Sequence, residues 1–438
     1  MDISWIRPEQ IAEFELLQLA DEGIRIEELS DRLQRLKTEH GDLRSLRNSI
    51  GKFLNELEEI KPIYNNKYIQ EFLDNKGSVP FYSVSADVLR DKILGGWNGR
   101  AAGCLLGKPV EKYRRNVIRE ILESNNSWPL EYYITDKGIP EELLKKYPWN
   151  RHSGSESLRE NIVCMTEDDD MNYAMLNLHL LEKYGGDFTT DNVADVWLNN
   201  MPVLSTFTAE RVAYLNLLLL RPINEVPLYR NPYREWIGAM IRADVFGWAS
   251  PGNPLKAARM AFNDASLSHT RDGIFASMFF AACISLAFVH GDVILILKEA
   301  LEFIPEDCRI HHAVEYGMSL AQNSADWEEI LGYLEEKYSD YFWVHSVNNT
   351  ALIAAALVYS GGDYSSAITN TVMGGWDTDS DAATVGSVIG TMCGFRGLPG
   401  IWISPLNDRI RSSLRGFDNS SLTALAERTL SVLESIRK

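Results

Sequence analysis

The chain has 438 residues, enough for two or three folded units, and 45% of them are hydrophobic, which allows a large core. Its formal net charge of −18 and its lack of a long basic run argue against a nucleic-acid partner, because proteins that bind phosphates need clustered Lys and Arg. Five cysteines without a CxxC pair argue against disulfides and a thiolate zinc site, and they favour the reducing cytoplasm. Since the N-terminus lacks an apolar stretch, we expect no signal peptide.

The first part of the chain has a helical composition, rich in Glu, Lys and Leu and poor in Gly. Gln10–Leu36 carries apolar residues three and four positions apart, and Ser45–Ile60 continues this pattern. Such segments are typical of a helical hairpin or a short bundle. Lys76–Ser85 interrupts the pattern with glycine and proline. We therefore predict an N-terminal helical extension over residues 1–85, suited to contact with a partner or another copy of the chain, and a main domain over residues 86–438.

Glycine recurs every fourth residue in two distant segments, at Gly95, Gly99, Gly103 and Gly107, and again at Gly386, Gly390 and Gly394. An isolated glycine costs about 1 kcal/mol in a helix relative to alanine. A row of glycines on one ridge is tolerable where it lets another helix approach closely. Few segments alternate as strands do, so the sequence predicts an all-α globule with two helices packed backbone to backbone at its centre.

Two further segments shape the expected architecture. Gly273–Val289 is apolar and uncharged for 17 residues, at the short edge of membrane-spanning length. Its small residues and charged flanks favour a helix buried inside the protein, so we expect no membrane partner. Glu111–Asn161 contains three prolines and several aromatic residues, which predicts a long loop region of the kind that often borders a site.

Four consecutive acids in Thr166–Asp170 precede a predicted helix at Met171–Tyr184. One interpretation is a capped helix start, with Thr166 as the N-cap and Asp169 completing a capping box. Acids there also interact favourably with the helix dipole. Capping explains two acids but not four, and adjacent like charges repel unless a cation neutralises them. A capped or solvated surface and a metal site both stay open for this segment.

Asp377, Asp379 and Asp381 follow two glycines and lie between apolar sequences, so we expect them to be buried. Buried carboxylates need a partner, and the next basic residue along the chain is Arg396. A divalent metal is the simplest compensation. Oxygen ligands select Mg²⁺, Mn²⁺ or Ca²⁺ over zinc. The sequence thus predicts that two distant acidic segments meet around a cation.

Several other chemistries lack support in the sequence. No GxxxxGK[ST] loop or GxSxG elbow is present, so neither P-loop phosphoryl transfer nor serine hydrolysis is indicated. His311, His312 and Glu315 do not form an HExxH motif, and we expect them to have a surface or structural role.

Three segments resemble, in order and spacing, the motifs of the ADP-ribosylglycohydrolase superfamily, which includes the dinitrogenase reductase-activating glycohydrolases. Residues 96–111 are similar to its G-x-x-x-G-D-A-L-G-x-P-x-E motif, residues 166–168 to its T-D-D motif, and residues 375–386 to its G-G-D-T-D-T-x-A-A-x-x-G motif. The resemblance spans residues 90–415. It implies an all-α globule with a binuclear Mg²⁺ or Mn²⁺ centre at the bottom of a cleft.

The resemblance also implies roles for individual residues. Glu167 and Ser380 replace the usual Asp and Thr but keep oxygen donors, so the implied metal ligands are Thr166, Glu167, Asp168, Asp377, Asp379 and Ser380. Glu111 and Asp168 are the implied catalytic residues. Cys104 stands where the family often has Asp, and Trp376 where it often has Gly, which reshapes the pocket. The implied substrate contacts are Cys104, His269, Gly375 and Trp376, although His269 taken alone is more typical of a structural histidine.

The implied reaction is metal-dependent cleavage of the glycosidic bond at the ribose anomeric carbon of an ADP-ribosylated substrate, either a protein side chain or a small ADP-ribosyl compound. Two alternatives stay open. One is a hydrolase of small N-ribosides or nucleosides that uses the same centre. The other is a non-catalytic ADP-ribose-binding protein that keeps the fold. A substrate panel with and without a chelator separates the three.

Overall fold

The computed structural model describes residues 4–39, 42–62, 64, 66–77, 82 and 84–436. Within these ranges the chain forms α-helices and short 3₁₀ helices and no β-strand, so the predicted all-α class is confirmed. The α-helices are α1 (Pro8–Asp21), α2 (Glu27–Glu39), α3 (Leu43–Ile60), α4 (Lys67–Asp74), α5 (Ala86–Gly107), α6 (Arg115–Glu123), α7 (Glu141–Lys146), α8 (Arg151–Glu156), α9 (Asp169–Tyr184), α10 (Thr190–Asn200), α11 (Thr208–Leu218), α12 (Asp244–Trp248), α13 (Pro254–Ala265), α14 (Arg271–Ala287), α15 (Val293–Ala300), α16 (Arg309–Asn323), α17 (Trp327–Lys337), α18 (Ser346–Tyr359), α19 (Tyr364–Gly374), α20 (Thr378–Cys393), α21 (Gly400–Ile403) and α22 (Leu422–Ile436). The 3₁₀ helices are Lys108–Val110, Val203–Ser205, Ile237–Arg242, Leu301–Phe303, Phe395–Gly397 and Ser404–Leu406.

Helices α1, α2 and α3 form a small bundle with its own core, in which Ile11, Leu16, Phe53 and Leu57 are buried. The predicted amphipathic stretch 10–36 is divided into two helices, because the chain turns after α1 at Gly23, whose φ is 84°. Helix α4 instead packs against the main core of the protein. The sequence boundary expected at residues 76–85 lies partly outside the described residues.

The bundle is attached to the rest of the protein through buried charges and aromatic rings. The Arg234 guanidinium is buried and lies 2.9 Å from Glu15 and 2.6 Å from Glu22, both of which belong to the N-terminal region. Trp5 packs edge-on against Trp236, with ring centroids 6.0 Å apart. Removing one partner from a buried ion pair leaves an uncompensated charge, so these pairs fix the position of the bundle.

Helices α5 and α20 approach each other backbone to backbone, as the two glycine rows predict. A Cβ atom on Gly99 would lie 2.2 Å from the Gly386 carbonyl oxygen, and one on Gly386 would lie 2.2 Å from the Gly99 carbonyl oxygen. The contact continues to the end of α5, where the Thr378 hydroxyl donates a hydrogen bond to the Gly107 carbonyl at 2.8 Å. The first turn of α20 therefore lies directly against the residues that follow α5.

The apolar segment at 273–289 forms most of α14, which is buried along its length, so the expectation of an internal helix is confirmed. None of the described helices combines the length and apolar character needed to cross a bilayer. The prediction of a loop region at residues 111–161 was only partly correct, because this region contains α6, α7 and α8. Helix α6 forms there because Ile118, Ile121 and Leu122 supply one buried face.

Replacing Gly99 with alanine tests the close approach of α5 and α20. We expect Gly99→Ala to lower the free energy of unfolding by about 1–3 kcal/mol, because the new methyl group overlaps the backbone of α20. Gly332→Ala in α17 is the matched control, since a Cβ there meets open space, and we expect a gain of about 0.5–1 kcal/mol. Urea unfolding followed by circular dichroism measures both. Equal stability of the two variants would contradict the packing.

Candidate metal centre

The acidic segment before α9 caps the helix with a residue other than the expected one. Asp168, not Thr166, is the N-cap, and its Oδ1 accepts a hydrogen bond from the Asp170 backbone nitrogen at 2.9 Å. The Thr166 hydroxyl lies 3.2 Å from that of Ser157. Because the backbone is extended here, neighbouring side chains point to opposite sides. Thr166 and Asp168 are buried, whereas Glu167 is exposed and accepts a hydrogen bond from Asn172.

The first turn of α20 carries the second acidic segment, and Asp377, Asp379 and Asp381 are all buried as expected. Ser380 joins this segment to the first one, since its hydroxyl donates a hydrogen bond to Asp170 Oδ2 at 3.0 Å. The two distant acidic segments thus lie next to each other, and the cation expected between them stays a prediction.

The acidic side chains form two groups that share Asp379. Within each group, one ligand atom of every residue lies within 4.8 Å of the others. We call Cys104, Asp168, Asp170 and Asp379 the inner cluster, and Glu111, Asp377 and Asp379 the cavity cluster. The cavity cluster combines residues from the end of the first motif with residues from the start of α20. The α5–α20 contact therefore assembles it.

The compensating cations come from α5 and the residue after it, and not from Arg396, whose side chain is 86% exposed. Arg100 is buried and lies 2.7 Å from Asp244 and 3.1 Å from Asp170. Lys108 is also buried. These two cations were missed at the sequence level. One signal in the sequence could have indicated a buried cation: Arg100 lies among glycines and other small residues on a helix predicted to be buried.

The Lys108 ammonium group lies among three carboxylates. Its Nζ is 2.9 Å from Asp379 Oδ2 and 3.4 Å from Glu111 Oε2, and it also contacts Asp168 Oδ2. Glu111 Oε2 accepts a further hydrogen bond from the buried amide of Asn150. Lys108 therefore bridges the inner and cavity clusters.

The carboxyl groups strongly affect one another. Burial raises the pKa of Asp379 to about 7, with Glu111 adding to the rise and Lys108 opposing it. Burial, together with repulsion from Asp379, raises the pKa of Asp377 well above its usual range. Burial also raises the pKa of the Cys104 thiol well above its ordinary value, so this side chain stays protonated and is a poor ligand for a hard cation. One more positive charge would stabilise the ionised carboxylates.

A cavity of about 350 Å³ opens over the cavity cluster. Glu111, Asp377 and Asp379 line it on one side. The aromatic side chains of Phe207 and Trp343 also line it, as do Ser4 and Trp5 of the N-terminal segment. The contribution of the N-terminal segment could not be foreseen from local sequence patterns, because it depends on how the bundle is attached.

The implied substrate contacts are placed differently from the expectation. Among the described residues that line the cavity, none of Cys104, His269, Gly375 and Trp376 appears. The His269 ring is fully buried, 3.9 Å from Glu210, and burial lowers its pKa well below the usual value, so it is neutral. The Trp376 carbonyl accepts a hydrogen bond from the Lys112 backbone at 3.0 Å, which ties this residue to the segment after α5.

Residues 85–436 match the family model described as ADP-ribosylglycohydrolase. The chain belongs to the ADP-ribosylglycohydrolase family. It is therefore a hydrolase of glycosyl bonds, which confirms the resemblance of the three motifs. A solved structure described as an ADP-ribosylglycohydrolase-related protein complex is 17% identical, with a TM-score of 0.48, over 80% of this chain and 99% of that chain. No curated protein matches the sequence.

The cavity cluster fits a hard divalent cation. Its donors are carboxylate oxygens, which suit Mg²⁺ or Mn²⁺. Asp379 Oδ1 is buried and has no hydrogen-bond partner among the described residues. Both oxygens of Asp381, two residues further along α20, are also buried without a hydrogen-bond partner among the described residues. His311, His312 and Glu315 form a separate group in which His312 is exposed, as expected of a surface role.

The pKa of Asp379 predicts how metal affinity depends on pH. At pH 6 its carboxyl group holds a proton that an incoming cation must displace, whereas at pH 8 it is mostly ionised. We therefore expect Mn²⁺ to bind at least about tenfold more tightly at pH 8 than at pH 6, with one proton or more released at the lower pH, because the pKa of Asp377 is also raised. Isothermal titration calorimetry in two buffers measures both quantities. Asp379→Asn should bind weakly at both pH values; a pH-independent affinity of the unmodified protein would contradict the assignment.

Proposed function

We propose that the chain cleaves the glycosidic bond at the ribose anomeric carbon of an ADP-ribosylated substrate, either a protein side chain or a small ADP-ribosyl compound, with Mg²⁺ or Mn²⁺ as the cofactor. The observation that carries this proposal is the convergence of Glu111, Asp377 and Asp379 on one wall of a cavity. Carboxylates in this arrangement can hold a cation, accept a proton and stabilise positive charge on a sugar ring.

The ligands implied by the resemblance divide into three groups by position. Asp377 and Asp379 line the cavity together with Ser380. Thr166 and Asp168 are buried beneath it, and Glu167 is exposed. We therefore assign direct metal binding to Asp377 and Asp379, joined by Glu111. When bound, a divalent ion polarises oxygen ligands and lowers the pKa of a coordinated water.

Glu111 is the residue we assign to proton transfer. Its carboxylate lines the cavity and is held by the Asn150 amide and by Lys108, so its direction is fixed before substrate arrives. A carboxylate so placed can accept the proton of an attacking water. Asp377 and Asp379 stabilise the positive charge that develops at the anomeric carbon. Asp168 acts indirectly, without lining the cavity, because it contacts the Lys108 ammonium group and caps α9.

The size of the cavity supports a second candidate, the hydrolysis of small N-ribosides or nucleosides. Its volume of about 350 Å³ is near the lower end of the roughly 300–1,000 Å³ typical of ligand sites. Trp5 and Trp343 on the walls offer flat apolar faces to a base or a sugar. Turnover of ADP-ribosyl-arginine measured beside turnover of simple nucleosides decides between the two substrates.

We also propose that the helical extension, residues 1–85, and the catalytic domain, residues 86–438, work as one unit. The support is that Ser4 and Trp5 line the cavity and that Arg234 ties the bundle to the catalytic domain. Contact with a partner or a second copy of the chain remains a further role for the exposed side of the bundle.

Replacing Asp379 tests the proposed reaction. Asp379→Asn keeps the size of the side chain but removes the charge shared by both clusters, so we expect metal-dependent hydrolysis to fall by about a hundredfold or more. Asp340→Asn, at an exposed aspartate, is the matched control and should retain full activity. Product formation from ADP-ribosyl-arginine is followed with Mg²⁺ or Mn²⁺ and after chelation. Unchanged turnover by Asp379→Asn would refute the proposed site.

A further inference from the structure

Lys108 occupies an unusual place for a lysine, since its side chain is only 2% exposed and ends among carboxylates. Burying an ammonium group is costly unless charged partners surround it. Here the partners are Asp168, Asp379 and Glu111, which come from three separate segments of the chain. The group is therefore an internal cation of the site and not a solvated surface charge.

The backbone directs this side chain into the site. Lys108 opens the 3₁₀ helix that follows α5. The preceding residue, Gly107, lies so close to α20 that a Cβ atom there would be 2.2 Å from the Thr378 carbonyl oxygen. Residue 108 therefore starts at the surface of α20, beside the first turn that carries Asp379, and a long side chain from this position reaches the carboxylates. The helix contact fixes the location of the ammonium group.

The ammonium group uses oxygens that a second metal ion would require. In binuclear sites the two ions lie roughly 3.5–4 Å apart and share bridging ligands. Asp379 belongs to both clusters, so it is the candidate bridge. Its Oδ2 already accepts from Lys108, which also contacts Asp168. A metal ion held between Asp168 and Asp379 would need the space that the Lys108 ammonium group occupies.

The remaining acid of the inner cluster is also compensated. Asp170 Oδ1 lies 3.1 Å from Arg100, and Asp170 Oδ2 accepts a hydrogen bond from Ser380 at 3.0 Å. The inner cluster thus has two organic cations beside it, Lys108 and Arg100, although Arg100 also pairs with Asp244 and Lys108 also lies 3.4 Å from Glu111. The cavity cluster adds Glu111 and Asp377, which line the cavity, to Asp379, whose Oδ1 has no partner among the described residues.

We propose that this site holds a single divalent ion, bound by Glu111, Asp377 and Asp379, and that the Lys108 ammonium group takes the place of the second ion. The inference rests on the metal dependence in the proposed function and departs from the two ions that the family resemblance implies. Lys108 is a positioning residue: it holds Asp168 and Asp379 in place and supplies the inner cluster with a fixed positive charge, so the ion that exchanges with solvent is the one facing the cavity.

Metal stoichiometry tests the proposal without relying on activity. The full chain is stripped with a chelator, loaded with Mn²⁺ and measured by elemental analysis and by electron paramagnetic resonance, which distinguishes an isolated Mn²⁺ from a coupled pair. We expect one isolated ion in the unmodified protein. Lys108→Ala removes the charge and opens space, and it should take up two ions. Lys108→Arg keeps a positive charge and should bind one Mn²⁺ ion. Lys112→Ala is the matched control, since it removes an exposed lysine that lines the cavity, and it should also bind one Mn²⁺ ion.

The outcomes separate this inference from the proposed function. Two ions in the unmodified protein would overturn the role of Lys108 and leave metal-dependent hydrolysis intact. One ion in the unmodified protein and one ion in a folded Lys108→Ala variant would also overturn the proposal, because the second ion would then be absent for a reason other than the Lys108 ammonium group. No bound ion, with hydrolysis that survives chelation, would overturn the metal dependence itself. Should Lys108→Ala fail to fold, the stoichiometry and spectrum of the unmodified protein still decide the number of ions.

Discussion

The close backbone contact between α5 and α20 is the constraint on which the site depends. Glycine on both helices, as at Gly99 and Gly386, lets carbonyl oxygens of one helix lie where a side chain would otherwise be. This contact sets the end of α5 against the first turn of α20. Lys108 and Glu111, which follow α5, are thereby brought to Asp377 and Asp379, although the two segments are far apart in sequence. A larger side chain in the seam would separate the helices and disperse the carboxylates.

Charge balance is the second determinant. Six carboxyl groups are buried around the site, on Glu111, Asp168, Asp170, Asp377, Asp379 and Asp381, while Lys108 and Arg100 supply the buried cations there. Burial, together with this excess of negative charge, raises the pKa of Asp379, and the excess favours a metal ion on the side facing the cavity. On the inner side, Lys108 contacts Asp168 and Arg100 lies 3.1 Å from Asp170. This asymmetry gives the two halves of one acidic site different tasks, one structural and one open to ligands.

Much of the fold and part of the site could be predicted from the sequence. Glycine spacing predicted the central helix pair, and burial of the acids followed from their apolar surroundings. The failures concern tertiary contacts. The position of the Lys108 ammonium group depends on the direction of a long side chain, and local sequence patterns do not determine that direction. Glu167 is exposed because the extended backbone turns alternate residues outward. Trp5 reaches the cavity because the N-terminal bundle is attached through the Arg234 ion pairs and through the contact of Trp5 with Trp236.

The most direct test of this account is the location of Mn²⁺ in crystals of the unmodified protein, found by anomalous diffraction. The account predicts one strong peak beside Glu111, Asp377 and Asp379, with the Lys108 ammonium group still in contact with Asp168. A peak between Asp168 and Asp379 with Lys108 displaced would contradict it, as would crystals in which the carboxylates bind no ion.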